Sequence, residues 1–135
     1  MSEQRPTDAA TTDVIQHSQN NGGAVRGTVR VAPAVLIQLI ELTVDAIDGV
    51  VELRPRPRRS RHAMDFEGKS YDDGKVRVGV IGDRIEADIA VTVRHGVNIA
   101  ELSASIQDQV SRAVERMLGM TASSVNIFID DIVEA

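Results

Sequence analysis

Five arginines, Arg54, Arg56, Arg58, Arg59 and Arg61, fall within eight residues that also hold Pro55 and Pro57. The proline spacing keeps such a stretch extended, so the guanidinium groups fan out and cannot share a packed face. A strip of this kind suits an anionic partner, either the phosphates of nucleic acid or an anionic lipid surface. The remainder of the chain sharpens the contrast: the formal net charge is -5, and without these five the other 10 basic residues would face 20 acidic ones. Neither a stacking aromatic nor an amphipathic basic helix accompanies the strip, so base readout and membrane insertion lack support. The plainer reading is a loop that meets the acidic body or solvent, although long loops without structure are uncommon unless functional or disordered.

Other chemistry is sparse. The histidines, His17, His62 and His95, are scattered, and none stands three or four residues from another His, Asp or Glu on a helix in the way a metal site favours. Asp72-Asp73 and Asp130-Asp131 are acidic pairs, but neighbours on a strand point to opposite faces and cannot jointly grip an ion. A loop ion site could be assembled from Asp65, Glu67, Asp72 and Asp73; the alternative is four solvated carboxylates. There is no GxSxG, no Walker loop, no GxGxxG and no cysteine, which removes a disulfide framework, a thiolate metal site and a cysteine nucleophile. The residues call for no catalytic group, cofactor or metal.

The elements that must hold the arginine strip are easier to read. Residues 1–23 are rich in Ser, Thr, Asn, Gln and Asp, show no apolar period and end in Asn20, Asn21, Gly22 and Gly23, the composition of a flexible tail. Residues 24–31 alternate as a short strand, Pro33 suits a first helical position, and Ala34 to Ile47 reads as a helix that Gly49 stops. Val50 to Leu53 is a second strand, followed by the Arg/Pro-rich loop at 54–74. Next come Lys75 to Ile81, a Gly82-Asp83 loop and Arg84 to Arg94, a hairpin whose primed turn needs positive φ at its first central position. Pairing Ile81 with Arg84 sets Val80 opposite Ile85, Val78 opposite Ala87 and Val76 opposite Ile89, one apolar face, with Arg77 opposite Asp88 on the other. That second face is polar, so only one side of the sheet should be covered.

Asn98 and Glu101 form a capping-box pair before the longest helix, which should run to Leu118 and stop at Gly119. Its stripe Ile99, Leu102, Ile106, Val110, Ala113, Val114 and Met117 faces a sheet. Val125, Ile127 and Ile129 alternate in a final strand. The expected fold is α+β, a two-layer sandwich with a largely antiparallel sheet and two helices on one face, in the order β-α-β-β-β-α-β. In the first helix the apolar arc is wider than one sheet contact needs. Its surplus either wedges against the second helix or forms an interface, with Ile37 and Val44, one heptad apart, as the candidate interface residues.

The 135 residues suit one globular domain, residues 24–135 behind the tail. Its core must be aliphatic, since Phe66, Tyr71 and Phe128 are the only aromatics. No apolar run approaches the roughly 18 residues of a membrane span, and the opening residues lack the apolar core of a secretory signal. The expected location is therefore cytoplasmic.

The stretches GTVRVAPAVLIQLIELTVDAIDGVVEL and VRVGVIGDRIEADIAVTVRHGVNIAELSASIQDQVSRAVERMLGMTASSVNIFIDDIV resemble the alkaline shock protein twenty-three family, also called the envelope stress response family. The marks are Asp48-Gly49-Val50 after the first helix, His95-Gly96-Val97-Asn98-Ile99 before the second, and Val125-Asn126-Ile127 in the last strand. His95 stands where that family usually has an aromatic residue, and the arginine strip lies where the family varies most. The resemblance implies a non-enzymatic bacterial protein of cell-envelope homeostasis and alkaline stress. It would act through a protein partner, held at the inner face of the membrane by a membrane-anchoring protein, with homo-oligomers among its relatives and no small-molecule substrate or cofactor. The alternative is a binder of nucleic acid or anionic lipid through Arg54, Arg56, Arg58, Arg59 and Arg61.

Overall fold

The β5–β6 hairpin, Val76–Ile81 and Arg84–Arg94, carries the register expected from the alternation. Ile81 pairs with Arg84, Val80 with Ile85, Val78 with Ala87 and Val76 with Ile89. Gly82 turns the chain at φ 61°, the left-handed conformation that glycine adopts without penalty. The computed structural model describes residues 15–18, 26–53 and 68–134. Most of the expected tail and all five arginines of the strip lie outside the described residues.

In chain order the other elements are β1 (Ile15–Ser18), β2 (Thr28–Val31), α1 (Pro33–Asp45), β3 (Val50–Leu53), β4 (Lys69–Asp72), α2 (Ile99–Leu118) and β7 (Thr121–Val133). The architecture is α+β, a largely antiparallel sheet with two helices packed on one face. Two strands exceed the expected order. Within the expected tail, Ile15–Ser18 pairs antiparallel with β2, from Ile15 opposite Val31 to Ser18 opposite Thr28. Within the expected loop, β4 pairs antiparallel with β5, setting Tyr71 beside Val78. Both are four-residue edge strands that gain structure from a partner ladder, and neither shows a long alternating pattern of its own.

β6 is the axis of the sheet. Along one side it pairs with β7 in parallel from Arg84 to Arg94, and along the other it meets β5 and then β3, both antiparallel. The β7 strand is twice as long as the alternation of 125–130 suggests, because β6 offers it a ladder along its whole length.

Each helix has a local cause. Pro33 occupies the first turn of α1, where its missing N–H costs nothing. Asn98 Oδ1 accepts from the Glu101 backbone N–H at 3.0 Å, and Gly119 ends α2 in the left-handed conformation at φ 68°. α1 ends at Asp45, two residues before its expected end, and a tight turn carries Ile47 back into the core. Leu36, Ile40 and Val44 of α1, Ile106, Val110 and Val114 of α2, and Val76, Val78, Ile85, Ile89, Val91 and Val93 of the sheet form one aliphatic cluster.

The opposite face departs from expectation at its centre. Asp88, Ala90 and Thr92 point away from the helices yet are buried, Asp88 to 3% exposure. β6 has neighbours on both sides, and the short side chains of its outer face sit between longer ones: Asp88 between Arg77 and Asn126, Ala90 beside Phe128, Thr92 between Glu52 and Asp131. Asn126 Nδ2 donates to Asp88 Oδ1 at 2.8 Å.

Two glycines predict the cost of changing the turns. A Cβ at Gly82 would meet nothing within 4 Å, so only its φ resists substitution. Gly82→Val should cost about 1–2 kcal/mol, and Gly82→Asn less, because Asn tolerates this conformation. At Gly49, φ 103° is joined by crowding, with Val97 Cγ1 3.3 Å from the position of a Cβ. Gly49→Ala should therefore lower the urea midpoint more than Gly82→Ala does; equal midpoints would refute the crowding at Gly49.

Candidate functional site

The sequence left Ile37 and Val44 either wedged under the second helix or as candidate interface residues, and the structure places both in the core. Ile37 is 8% exposed and Val44 fully buried, both within the core cluster. α1 packs on α2 as well as on the sheet, so its wide apolar arc serves two contacts inside one chain. The large apolar residues left facing outward on α1 are Val35 and Leu42, 47% and 64% exposed and again one heptad apart. The spacing expected of an outward pair is present, but its phase around the helix differs, because the side on which α2 lies is set by tertiary packing.

Leu42 stands on the rim of a cleft of about 400 Å³. α1 supplies Gln38, Glu41, Leu42 and Asp45, β3 supplies Glu52 and Leu53, and Lys75 enters from the β4–β5 turn. Asp45, Glu52 and, when ionised, Glu41 outnumber the one ammonium around an exposed leucine, so the cleft is acidic with an apolar rim. Arg54, the first arginine of the strip, follows Leu53 in sequence.

The turn that carries Lys75 is built by its own carboxylates. Asp72 Oδ1 accepts from the Gly74 N–H at 2.7 Å, and Asp73 Oδ1 accepts from the N–H groups of Lys75 and Val76, each at 2.9 Å. These side-chain-to-backbone turns explain two members of the loop ion site considered from sequence; Asp65 and Glu67 lie outside the described residues. His95, exposed at the turn before α2, lends its backbone N–H to Val133 O at 2.7 Å.

One pair was not legible. Glu41 of α1 reaches Asp73 of the turn, 32 positions away in the chain. Burial, then the hydrogen bond and the negative charge of Asp73, push the Glu41 carboxyl up to about 7, against a smaller opposing effect of Lys75. Burial alone would raise Asp73 too, but the hydrogen bond from Glu41, the Val76 and Lys75 N–H groups and the Lys75 charge together hold it below the usual range. Oε2 of Glu41 is buried and, as a carboxylate oxygen, lacks a donor. A proton on Glu41 resolves this: the acid donates to the Asp73 carboxylate. Neither residue carries a sequence mark of the contact, since Glu41 lies on the polar edge of its helix and Asp73 in an acidic turn.

Comparison with known proteins adds the family. The model of the alkaline shock protein 23 family, cell envelope-related function, matches residues 21–134. The uncharacterized protein YqhY of Bacillus subtilis is 27% identical over 103 residues, 76% of this chain and 75% of that one. The uncharacterized protein Spy1614 of Streptococcus pyogenes is 38% identical over 75 residues, 56% and 54% of the two chains. Among solved structures, the nickel form of a MamM CTD variant covers 73% of this chain and 96% of its own at 13% identity and a TM-score of 0.49. At that level the likeness carries no functional argument.

The Glu41–Asp73 pair predicts how stability depends on pH. A carboxyl raised in the fold from 4.5 to about 7 binds its proton more tightly when folded, so its contribution is complete below 4.5 and is lost as pH rises through about 7. Asp73 acts oppositely, its contribution being lost as pH falls below 3.8. Urea midpoints should therefore decline between pH 5 and pH 8. In Glu41→Gln that decline should flatten, because an amide donates to Asp73 at any pH; an unchanged slope would refute the shared proton. The burial on α1 predicts a second contrast. Val44→Glu should unfold the chain, since it places an unpaired charge in the core, whereas Leu42→Glu should keep native circular dichroism.

Proposed function

The chain belongs to the alkaline shock protein 23 family, whose function is cell envelope-related, and from that premise we propose that it acts without catalysis, as a protein-binding component of the bacterial envelope and alkaline stress response. In this reading the chain is cytoplasmic and is held at the inner face of the membrane by an anchoring partner. No helix among the described residues is long and apolar enough to cross a membrane, and the reading assigns attachment to that partner. The observation that carries the proposal is the cleft beside α1. Leu42 is a large apolar side chain 64% exposed on α1, beside Asp45 and Glu52. An apolar anchor with an acidic surround fits a partner segment that presents an apolar residue among lysines or arginines.

The arginine strip supports a second reading, in which Arg54, Arg56, Arg58, Arg59 and Arg61 bind nucleic acid or an anionic lipid surface. Its basis is the concentration of five cations in a chain of net charge -5.

A photo-crosslinker at Gln38, on the exposed side of α1, tests the first reading in living cells. The expected result is an adduct in the membrane fraction that disappears in Leu42→Glu while the variant stays folded. The second reading predicts binding of the purified chain to anionic vesicles or nucleic acid, weakening with log salt at a slope of about -4 to -5 if all five arginines neutralise phosphates. Loss of that slope on changing the five arginines to serine, with no crosslink at Gln38, would replace the first reading by the second.

A further inference from the structure

The wall of the cleft beside α1 contains a group with two sets of neighbours. Glu41 lines the cleft, whereas Asp73, its hydrogen-bond partner in the β4–β5 turn, is not part of the lining. The charged groups around Glu41 come from three elements: Asp45 one turn later on α1, Glu52 on β3, and Asp73 and Lys75 on the turn. Lys75 is the one ammonium among them, and its charge offsets only part of what burial and Asp73 do to Glu41. Oε2 of Glu41 is buried without a donor, a setting that suits a neutral acid and penalises a carboxylate.

A cation arriving on the cleft side reverses that preference. A lysine or arginine seated beside Leu42 meets Asp45, Glu52 and Glu41 along one wall. Its positive charge favours the ionised form of Glu41, and a carboxylate that accepts from an ammonium or guanidinium no longer needs to donate to Asp73.

We propose that the cleft takes a basic partner segment by exchanging a proton for its cation: Glu41 releases its proton to water as it pairs with the segment's lysine or arginine, so binding strengthens as pH rises through neutrality. This rests on the reading above, in which the cleft receives such a segment, and adds what regulates it. The exchange balances. The hydrogen bond from the Glu41 acid to Asp73 breaks, the proton leaves to solvent, and an N–H of the incoming cation donates to the Glu41 carboxylate. Asp73 keeps the Lys75 and Val76 N–H groups on Oδ1, so the turn persists on both sides of the exchange. With the free carboxyl at about 7, roughly a tenth of the chains carry ionised Glu41 at pH 6 and roughly nine-tenths at pH 8. Only the ionised form is competent, so apparent affinity should rise about tenfold between these two values. At pH 7 about half a proton should be released per segment bound.

The test is calorimetric titration of the purified full chain with a synthetic peptide, one leucine among four lysines and blocked at both ends, at pH 6, 7 and 8 and constant ionic strength. The pH 7 titration is repeated in two buffers of different ionisation enthalpy, which reads the proton released. Glu41→Gln should lose the pH dependence and bind at pH 8 no better than the parent does at pH 6. Asp73→Asn keeps Oδ1 for the turn and offers Glu41 an amide donor, so it should raise the affinity at pH 6 toward the parent's value at pH 8. The two variants move in opposite directions, which a general loss of stability cannot imitate. Binding that is equal at pH 6 and pH 8 and releases no proton overturns the exchange and leaves the cleft reading standing. A pH dependence that persists in Glu41→Gln belongs to another group and also overturns the exchange. Absence of binding at pH 8, or binding that Leu42→Glu does not weaken, overturns the cleft reading itself and the exchange with it.

Discussion

The register of β6 is the constraint on which the rest depends. This strand is shared by every other strand of its sheet except β4, and its alternation sends Ile85, Ala87, Ile89, Val91 and Val93 toward the helices. A slip of one residue would exchange that set for Glu86, Asp88 and Thr92 and bring carboxylates into the aliphatic core. The two-residue turn at Gly82 holds β5 in step with β6, and the parallel ladder to β7 then follows from the same alternation in Val125, Ile127 and Ile129. Once β6 is set, both helices have only one apolar surface to cover.

The aliphatic nature of that surface shapes what lies above it. With few aromatics available, the core is closed by many small contacts among Val, Ile and Leu, and backbones must approach closely where helix meets turn. Gly49 shows this: its missing side chain admits Val97 and Leu102 to the point where α1 hands over to β3. α1 spends its apolar arc on α2 and the sheet together. Polar groups are left for the ends of strands and the margins of helices, and the cleft at Glu41, Glu52 and Lys75 lies on such a margin.

What could be read from the residues was local or periodic. The β5–β6 register, the Asn98 cap and the Gly119 stop each follow from a few neighbouring side chains, and all three appear as expected. What escaped was contextual. The strands β1 and β4 owe their form to a partner ladder. The burial of Asp88 and Thr92 arises because β6 is flanked on both sides, and a single strand does not reveal its neighbours. The outward phase of α1, Val35 and Leu42 in place of Ile37 and Val44, depends on the placement of α2. The Glu41–Asp73 pair joins two segments whose proximity only the fold creates. The arginine strip remains legible as chemistry, and its residues lie outside those described.

An acidic chain must find a setting for each carboxylate, and the settings here differ by what donates. Asp72 and Asp73 receive backbone N–H groups and thereby fold a turn. Asp88 is buried with the amide of Asn126 on one oxygen, while Asp48 stays in solvent, 3.5 Å from the guanidinium of Arg94. Among the described residues Glu41 alone is raised to about 7, because it is drawn out of water toward the Asp73 carboxylate, one oxygen of which accepts backbone N–H groups. Two anions in that position repel; one acid and one anion form a hydrogen bond. The hydrogen bond between Glu41 of α1 and Asp73 of the β4–β5 turn therefore needs the proton. The same helix carries Leu42 one residue further on, so the only strongly raised carboxyl among the described residues adjoins the most exposed apolar side chain of α1.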